Sequence, residues 1–300
     1  MAKPVCLNDI SKEDLKKFLG SFDHVFSDCD GVIWTKAPMP GSGDFFKVMQ
    51  ELGKTVHFVS NNSIRSKADY TALFDAVGQE KGFDRLTIPS IAIVEYLKSV
   101  KFDKTVYCVS AMGTINVLEA NGFKCKYGPD LCPEDYHDFA QFGEDDPDIG
   151  AVVFDSDFKV NVPKLQKAST YLKRAEVLFI CGASDRLVPL KAGCLGIGPG
   201  AFTEMVRAIV KRDFTLLAKP SPTFGHLAMK RAGVTDPSRV LFIGDMIEQD
   251  IGLGRATGFH TLLVLTNHTK EEMHANSIQP EYYASCLGDI VPQLKQLLSN

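Results

Sequence analysis

His24-Val25-Phe26-Ser27-Asp28-Cys29-Asp30-Gly31 reads as a short apolar strand that runs directly into two acids and a glycine. Three further segments repeat the design. Val56-His57-Phe58-Val59 leads to Ser60-Asn61-Asn62-Ser63, Thr215-Leu216-Leu217-Ala218 leads to Lys219-Pro220-Ser221, and Val240-Leu241-Phe242-Ile243 leads to Gly244-Asp245-Met246-Ile247-Glu248-Gln249-Asp250. Polar residues gathered at strand ends are what a parallel α/β sheet offers, because its ligands sit outside the carboxyl edge.

Between these segments, strand-like runs alternate with amphipathic, helix-like ones, which predicts parallel sheets. Helices are expected at Ser11–Leu19, Asp44–Leu52, Lys67–Val77 and Ile91–Val100 in the first third. A second alternation fills the middle, with strands at Thr105–Val109, Ala151–Phe154 and Val177–Ile180 and helices at Met112–Asn121, Pro163–Lys173 and Phe202–Val210. Gly193–Gly200 holds four glycines and reads as a loop. Helices Phe224–Ala232, Gly252–Thr257 and Ile290–Leu298, with strand Thr261–Leu265, close the chain. The middle series lies between the second and third polar segments. It is therefore read as an inserted α/β domain over 98–202, in a catalytic core made from 1–97 and 203–300.

The 300-residue chain is 45% hydrophobic and 23% charged, as soluble globular proteins are. Its net charge of -4 and dispersed lysines and arginines point away from nucleic acid. Apolar stretches such as Thr261–Leu265 are too short to span a bilayer, so no membrane partner is expected. The opening MAKPVCLNDISKEDLKK has no long apolar core, which argues against a signal or transit peptide. The eight cysteines are scattered without a C-x-x-C pair, as expected for buried reduced thiols of a cytoplasmic protein.

Asp28 and Asp30 stand at i and i+2, so in extended chain their side chains share one side. One carboxylate can attack phosphorus and the other can protonate a leaving oxygen and later activate water. Anion attacking anion needs a cation between them. Asp28 and Asp245, with the Asp30 carbonyl, suit Mg²⁺, a hard ion that prefers oxygen. The Ser60 hydroxyl and the N–H groups of Asn61 and Asn62 can hold phosphoryl oxygens, although an Asx turn or helix cap would use the same residues. Lys219 can neutralise both aspartate and phosphate. Asp250, five residues past Asp245, can orient Lys219 or the waters of the ion. No histidine spacing offers a rival metal site, and no G-x-S-x-G elbow is present.

Each segment alone is weak; the four together, in this order, are not. The pattern resembles the haloacid dehalogenase superfamily, whose D-x-D-G, Ser/Thr, Lys and G-D-x-x-x-x-D motifs match Asp28/Asp30, Ser60, Lys219 and Asp245/Asp250. SDCDGVIW, FVSNNS and AKPSP are similar to the capped branch containing 4-nitrophenyl-phosphate, phosphoglycolate and pyridoxal phosphate phosphatases. The resemblance implies a Rossmann-like doubly wound core with an α/β cap, a Mg²⁺ cofactor, an aspartyl-phosphate on Asp28, and homodimers formed through the cap. It also implies a small-molecule phosphate ester as substrate, with Asp185 in the cap loop Cys181–Pro189 helping to choose its organic group.

Two departures stand out. Met246 occupies a position that is usually Arg in the family, and Ala183 replaces an amide of the cap loop. Val188 stands where relatives of the pyridoxal type place His. Alternatives to the small-molecule phosphatase are a phosphoprotein or pyridoxal phosphate phosphatase, and a catalytically weak phosphate-binding sensor or scaffold.

Overall fold

The computed structural model describes residues 3–191 and 194–298. The chain divides into two compact units, Met1–Ser60 with Ser66–Thr87 and Lys219–Asn300, and Asn61–Arg65 with Ile88–Ala218.

Fourteen strands, numbered in chain order, make up the sheets of the described residues. The first unit holds β1 (Val5–Cys6), β2 (His24–Ser27), β3 (Thr55–Val59), β4 (Leu86–Thr87), β12 (Val240–Gly244), β13 (His260–Val264) and β14 (Tyr282–Ala284). They form one sheet in the order β1-β14-β13-β12-β2-β3-β4, and every pairing is parallel. Chain order reverses between β2 and β12, so their carboxyl ends flank a topological switch point. The register sets Ser27 beside Ile243, and Asp28 N–H donates to the Ile243 carbonyl at 2.8 Å. Asp28 and Asp245 thus leave neighbouring strands at one edge.

β12 is buried along its whole length, which is why it reads as an unbroken apolar run. Helices cover the sheet through apolar stripes. Lys12–Gly20 buries Leu15, Phe18 and Leu19, and Ser11 caps it by accepting from Asp14 N–H at 3.1 Å. Lys67–Ala76 begins at a reciprocal Ser66/Asp69 capping box and buries Tyr70 and Phe74. Phe74 packs on Trp34 and Phe58, with ring centroids 5.0 and 4.6 Å apart.

The second unit holds β5 (Thr105–Val109), β6 (Lys124–Tyr127), β7 (Ile149–Phe154), β8 (Leu178–Cys181), β9 (Leu187–Lys191), β10 (Cys194–Ile197) and β11 (Thr215–Leu216). Five of these form a second parallel sheet, β11-β8-β7-β5-β6, and β9 and β10 pair antiparallel. Its core gathers Tyr107, Val152, Phe154, Tyr171, Leu172 and Phe179 under helices Val162–Tyr171 and Pro199–Val210.

Three expectations need correction. The second unit is wider than 98–202, because helix Pro89–Ser99 packs against helix Met112–Ala120 and β11 pairs with β8. Thr215–Leu216 therefore belongs to the second unit's sheet and not to the core sheet. The glycine-rich stretch is not a loop: Cys194–Ile197 is a strand, while Gly193 lies outside the described residues. Its glycines serve close packing. A Cβ on Gly198 or Gly200 would strike the backbone of Ser184 and Asp185, and Gly200 N–H donates to the Asp185 carbonyl at 2.9 Å. Among the described residues no helix is long and apolar enough to cross a membrane.

Candidate active site

Four residues of the first unit converge. The Lys219 ammonium lies 2.7 Å from Asp28 Oδ1 and 2.7 Å from Asp250 Oδ1. Asp28, Asp245 and Asp250 each offer a carboxylate oxygen within 4.8 Å of the others. All four side chains are buried. Local backbone explains the meeting. Lys219 directly follows the last residue of the second unit and enters the first at the sheet edge. After β12 the chain makes a π-helical turn at Ile247–Ile251. That turn folds Asp250 back, so its Oδ2 accepts from the N–H groups of Asp245 and Met246 at 3.0 and 2.9 Å.

Both oxygens of Asp250 are thus engaged by Lys219 and by two amides, so Asp250 holds its neighbours in place. Met246 contributes its backbone N–H to this turn, and its side chain is partly exposed. The change from the usual Arg therefore leaves the local backbone bonding intact.

Two glycines make room. Gly31 has φ +84°, and a Cβ there would strike the Asp245 carboxylate. A Cβ on Gly244 would strike Asp250. The glycines of D-x-D-G and of G-D are spaces for the partner acids.

The electrostatics are unbalanced. Burial alone would lower the Lys219 ammonium, but Asp250 and Asp28 outweigh it and hold it well above its ordinary value. Burial pushes the Asp28 carboxyl well up, Lys219 opposes this, and Asp250 and Asp245 add to the rise. Burial first and the Asp250 charge second raise Asp245 to about 7, against the opposing pull of Lys219 and the Asn267 hydrogen bond. Three buried acids share one lysine. Asp245 Oδ1 is buried with no hydrogen-bond partner among the described residues. An all-oxygen donor set, short of positive charge and with an unsatisfied carboxylate oxygen, fits a hard divalent cation.

The remaining expected residues are placed as follows. Asp30 is half-buried in the turn after β2, where Gly31 N–H donates to the Trp34 carbonyl at 2.7 Å. Ser60 is buried at the end of β3; its N–H donates to the Thr87 carbonyl at 3.0 Å, and Tyr70 Oη lies 3.4 Å from its hydroxyl. Asn61 and Asn62 fall in the second unit. The Asn62 side chain accepts from Ile64 and Arg65 N–H at 3.1 and 3.3 Å, so the Asx-turn reading of this segment holds for it. Asp185 is half-buried in the second unit, after β8, and Ala183 beside it is buried.

The sequence motifs omit Asn267. Its amide donates in a short hydrogen bond to Asp245 Oδ2. The signal was present, because Thr266-Asn267 follows β13, the strand next to β12, as polar residues follow the other site strands.

A family model described as haloacid dehalogenase-like hydrolase matches residues 25–124, and a second model of the same kind matches 216–290. Phosphoglycolate phosphatase 2 of Arabidopsis thaliana is 31% identical over 94% of this chain and 96% of its own length. The 4-nitrophenylphosphatase of Schizosaccharomyces pombe is 28% identical over 93% of this chain and 97% of its own. The solved p-nitrophenyl phosphatase from Archaeoglobus fulgidus superimposes with a TM-score of 0.77 at 26% identity, covering 91% of this chain and 99% of that one. The family model and the relatives together define a phosphatase. The chain belongs to the haloacid dehalogenase-like hydrolase family, in the branch that holds these capped phosphatases.

Proposed function

We propose that the chain is a Mg²⁺-dependent phosphomonoesterase working through a phosphoryl group carried on Asp28. The observation that supports this most is the buried contact of Asp28 with Lys219 at 2.7 Å inside a cluster of three acids. The Asp28 carboxylate attacks phosphorus and the ester P–O bond breaks. Asp30 gives its proton to the departing oxygen. Asp30 then takes a proton from water, the water oxygen attacks phosphorus, and the bond to Asp28 breaks to release inorganic phosphate.

Mg²⁺ held by Asp28, Asp245 and the Asp30 carbonyl would neutralise charge between nucleophile and phosphate. Lys219 supplies the fixed positive charge of the chain itself, and Asp250 keeps it aimed. Ser60, and on sequence grounds Asn61 and Asn62, are proposed as donors to the phosphoryl oxygens. On the same grounds Asp185 is proposed to select the organic group.

The relatives are named for phosphoglycolate, 4-nitrophenyl phosphate and, in Mus musculus, glycerol 3-phosphate, so the expected substrates are small organic phosphates. The reading extends to a homodimer formed through the second unit, where Leu187, Leu195, Ile197 and Ile209 are exposed; sedimentation checks it. A phosphate-release screen over such esters, with Mg²⁺ and with EDTA, tests the activity. Asp28→Asn should lose several orders of magnitude in kcat while keeping its fold by circular dichroism. Near-normal turnover in that variant, or full activity in EDTA, would refute the mechanism.

A further inference from the structure

Asp245 has two oxygens in different situations. Oδ1 is buried and lacks a hydrogen-bond partner among the described residues, whereas Oδ2 accepts the Asn267 amide. The Asn267 amide nitrogen is the donor and Asp245 Oδ2 the acceptor. The loop carrying Asn267 is pinned by Thr266, whose hydroxyl donates to the Gly31 carbonyl at 2.7 Å. Asp245 is 1% exposed, while Asn267 is exposed. An exposed side chain therefore fixes a buried one, and it does so on Oδ2, leaving Oδ1 as the oxygen without a hydrogen-bond partner.

Resting on the reading that Asp245 holds a divalent cation, we propose that Asn267 is a specificity-determining residue that sets which cation is held, by restricting Asp245 to one oxygen. Mg²⁺ demands near-ideal octahedral geometry at about 2.0–2.1 Å, whereas Ca²⁺ accepts six to eight oxygens at roughly 2.3–2.6 Å and takes carboxylates through both oxygens. With Oδ2 held by the amide, Asp245 is oriented to present its unpartnered Oδ1 as ligand atom, which favours the smaller ion. Removing the amide frees Oδ2 for two-oxygen ligation, which favours the larger ion. Asn267 acts through Asp245 and needs no contact with substrate.

Calorimetric titration of the full chain with Mg²⁺ alone and with Ca²⁺ alone tests this, on wild type, Asn267→Ala, Asn267→Leu and Asp245→Asn. Leu fills space without donating, so it separates the hydrogen bond from packing. Unfolding melts without metal confirm that both variants are folded under the titration conditions. Both are expected to lower the ratio of Mg²⁺ to Ca²⁺ affinity roughly tenfold, the scale found when groups that orient metal ligands are removed. A ratio unchanged in either variant overturns the role of Asn267 while leaving the metal site standing. Wild type that binds neither ion, or Asp245→Asn that binds as wild type does, overturns the metal reading itself.

Discussion

Asp250 shows how much one buried side chain can organise. One of its oxygens holds Lys219 and the other holds the turn after β12. Asp250→Asn keeps the shape but removes the charge that faces Lys219, and its amide has to donate where the carboxylate accepted. Turnover is expected to fall roughly 10–100-fold, as for other groups that orient ligands, with substrate KM changed less than kcat; steady-state kinetics checks it. His57 gives a different residue-scale prediction. Burial lowers its imidazole to about 4, with the Arg85, His24 and Arg231 charges adding to the fall. The unfolded chain, titrating near the ordinary ~6.5, binds the proton more readily than the folded one between those two values. The His57 contribution is therefore fully present above ~6.5 and is lost as pH falls from ~6.5 toward 4. His57→Phe should show a smaller drop in urea midpoint between about pH 7.5 and 5 than wild type does. An identical drop would exclude the assignment.

At the scale of elements, the turn after β2 and the turn after β12 are built for each other. Gly31 takes a left-handed conformation and leaves the space that Asp245 fills. Gly31→Ala should cost about 1–2 kcal/mol from backbone strain alone, and more from displacing Asp245. Guanidinium unfolding should show that loss, together with weaker Mg²⁺ binding. Much of this was legible in the sequence, because β2, β3 and β12 are apolar runs with a change to polar residues at one end. The elements that escaped reading lack that contrast. β6 is Lys124-Cys125-Lys126-Tyr127, mostly exposed at a sheet edge, and β4 has only two residues. Their strand character comes from the partner they pair with, which local sequence does not specify. Asn267 escaped for a related reason: its importance lies in reaching across from β13 to β12, a neighbour set by the order of strands.

For the whole molecule, the proposed metal site would link metal to stability. A ligand that binds only the folded state stabilises by about 2.7 kcal/mol at one hundred times its Kd. Mg²⁺ at that excess should therefore raise the unfolding midpoint of wild type and leave that of Asp245→Asn unmoved, as a thermal melt would show; equal shifts in both would argue against Asp245 as the ligand. The division into units was readable in outline, since two α/β series alternate along the chain. Its edges were not, because helix Pro89–Ser99 and β11 look alike whichever sheet they serve. The interrupted path of the first unit has a further consequence, for synthesis on the ribosome. β2 and β12 are hydrogen-bonded neighbours, yet the whole second unit lies between them in the chain. At roughly 5–20 residues per second, β2 and β3 must wait tens of seconds for β12, with one edge of the growing sheet unpaired. The second unit is nearly contiguous and can close during that interval. A nascent chain would then carry a finished domain beside a half-built sheet, and that open edge is where chaperone protection is needed most.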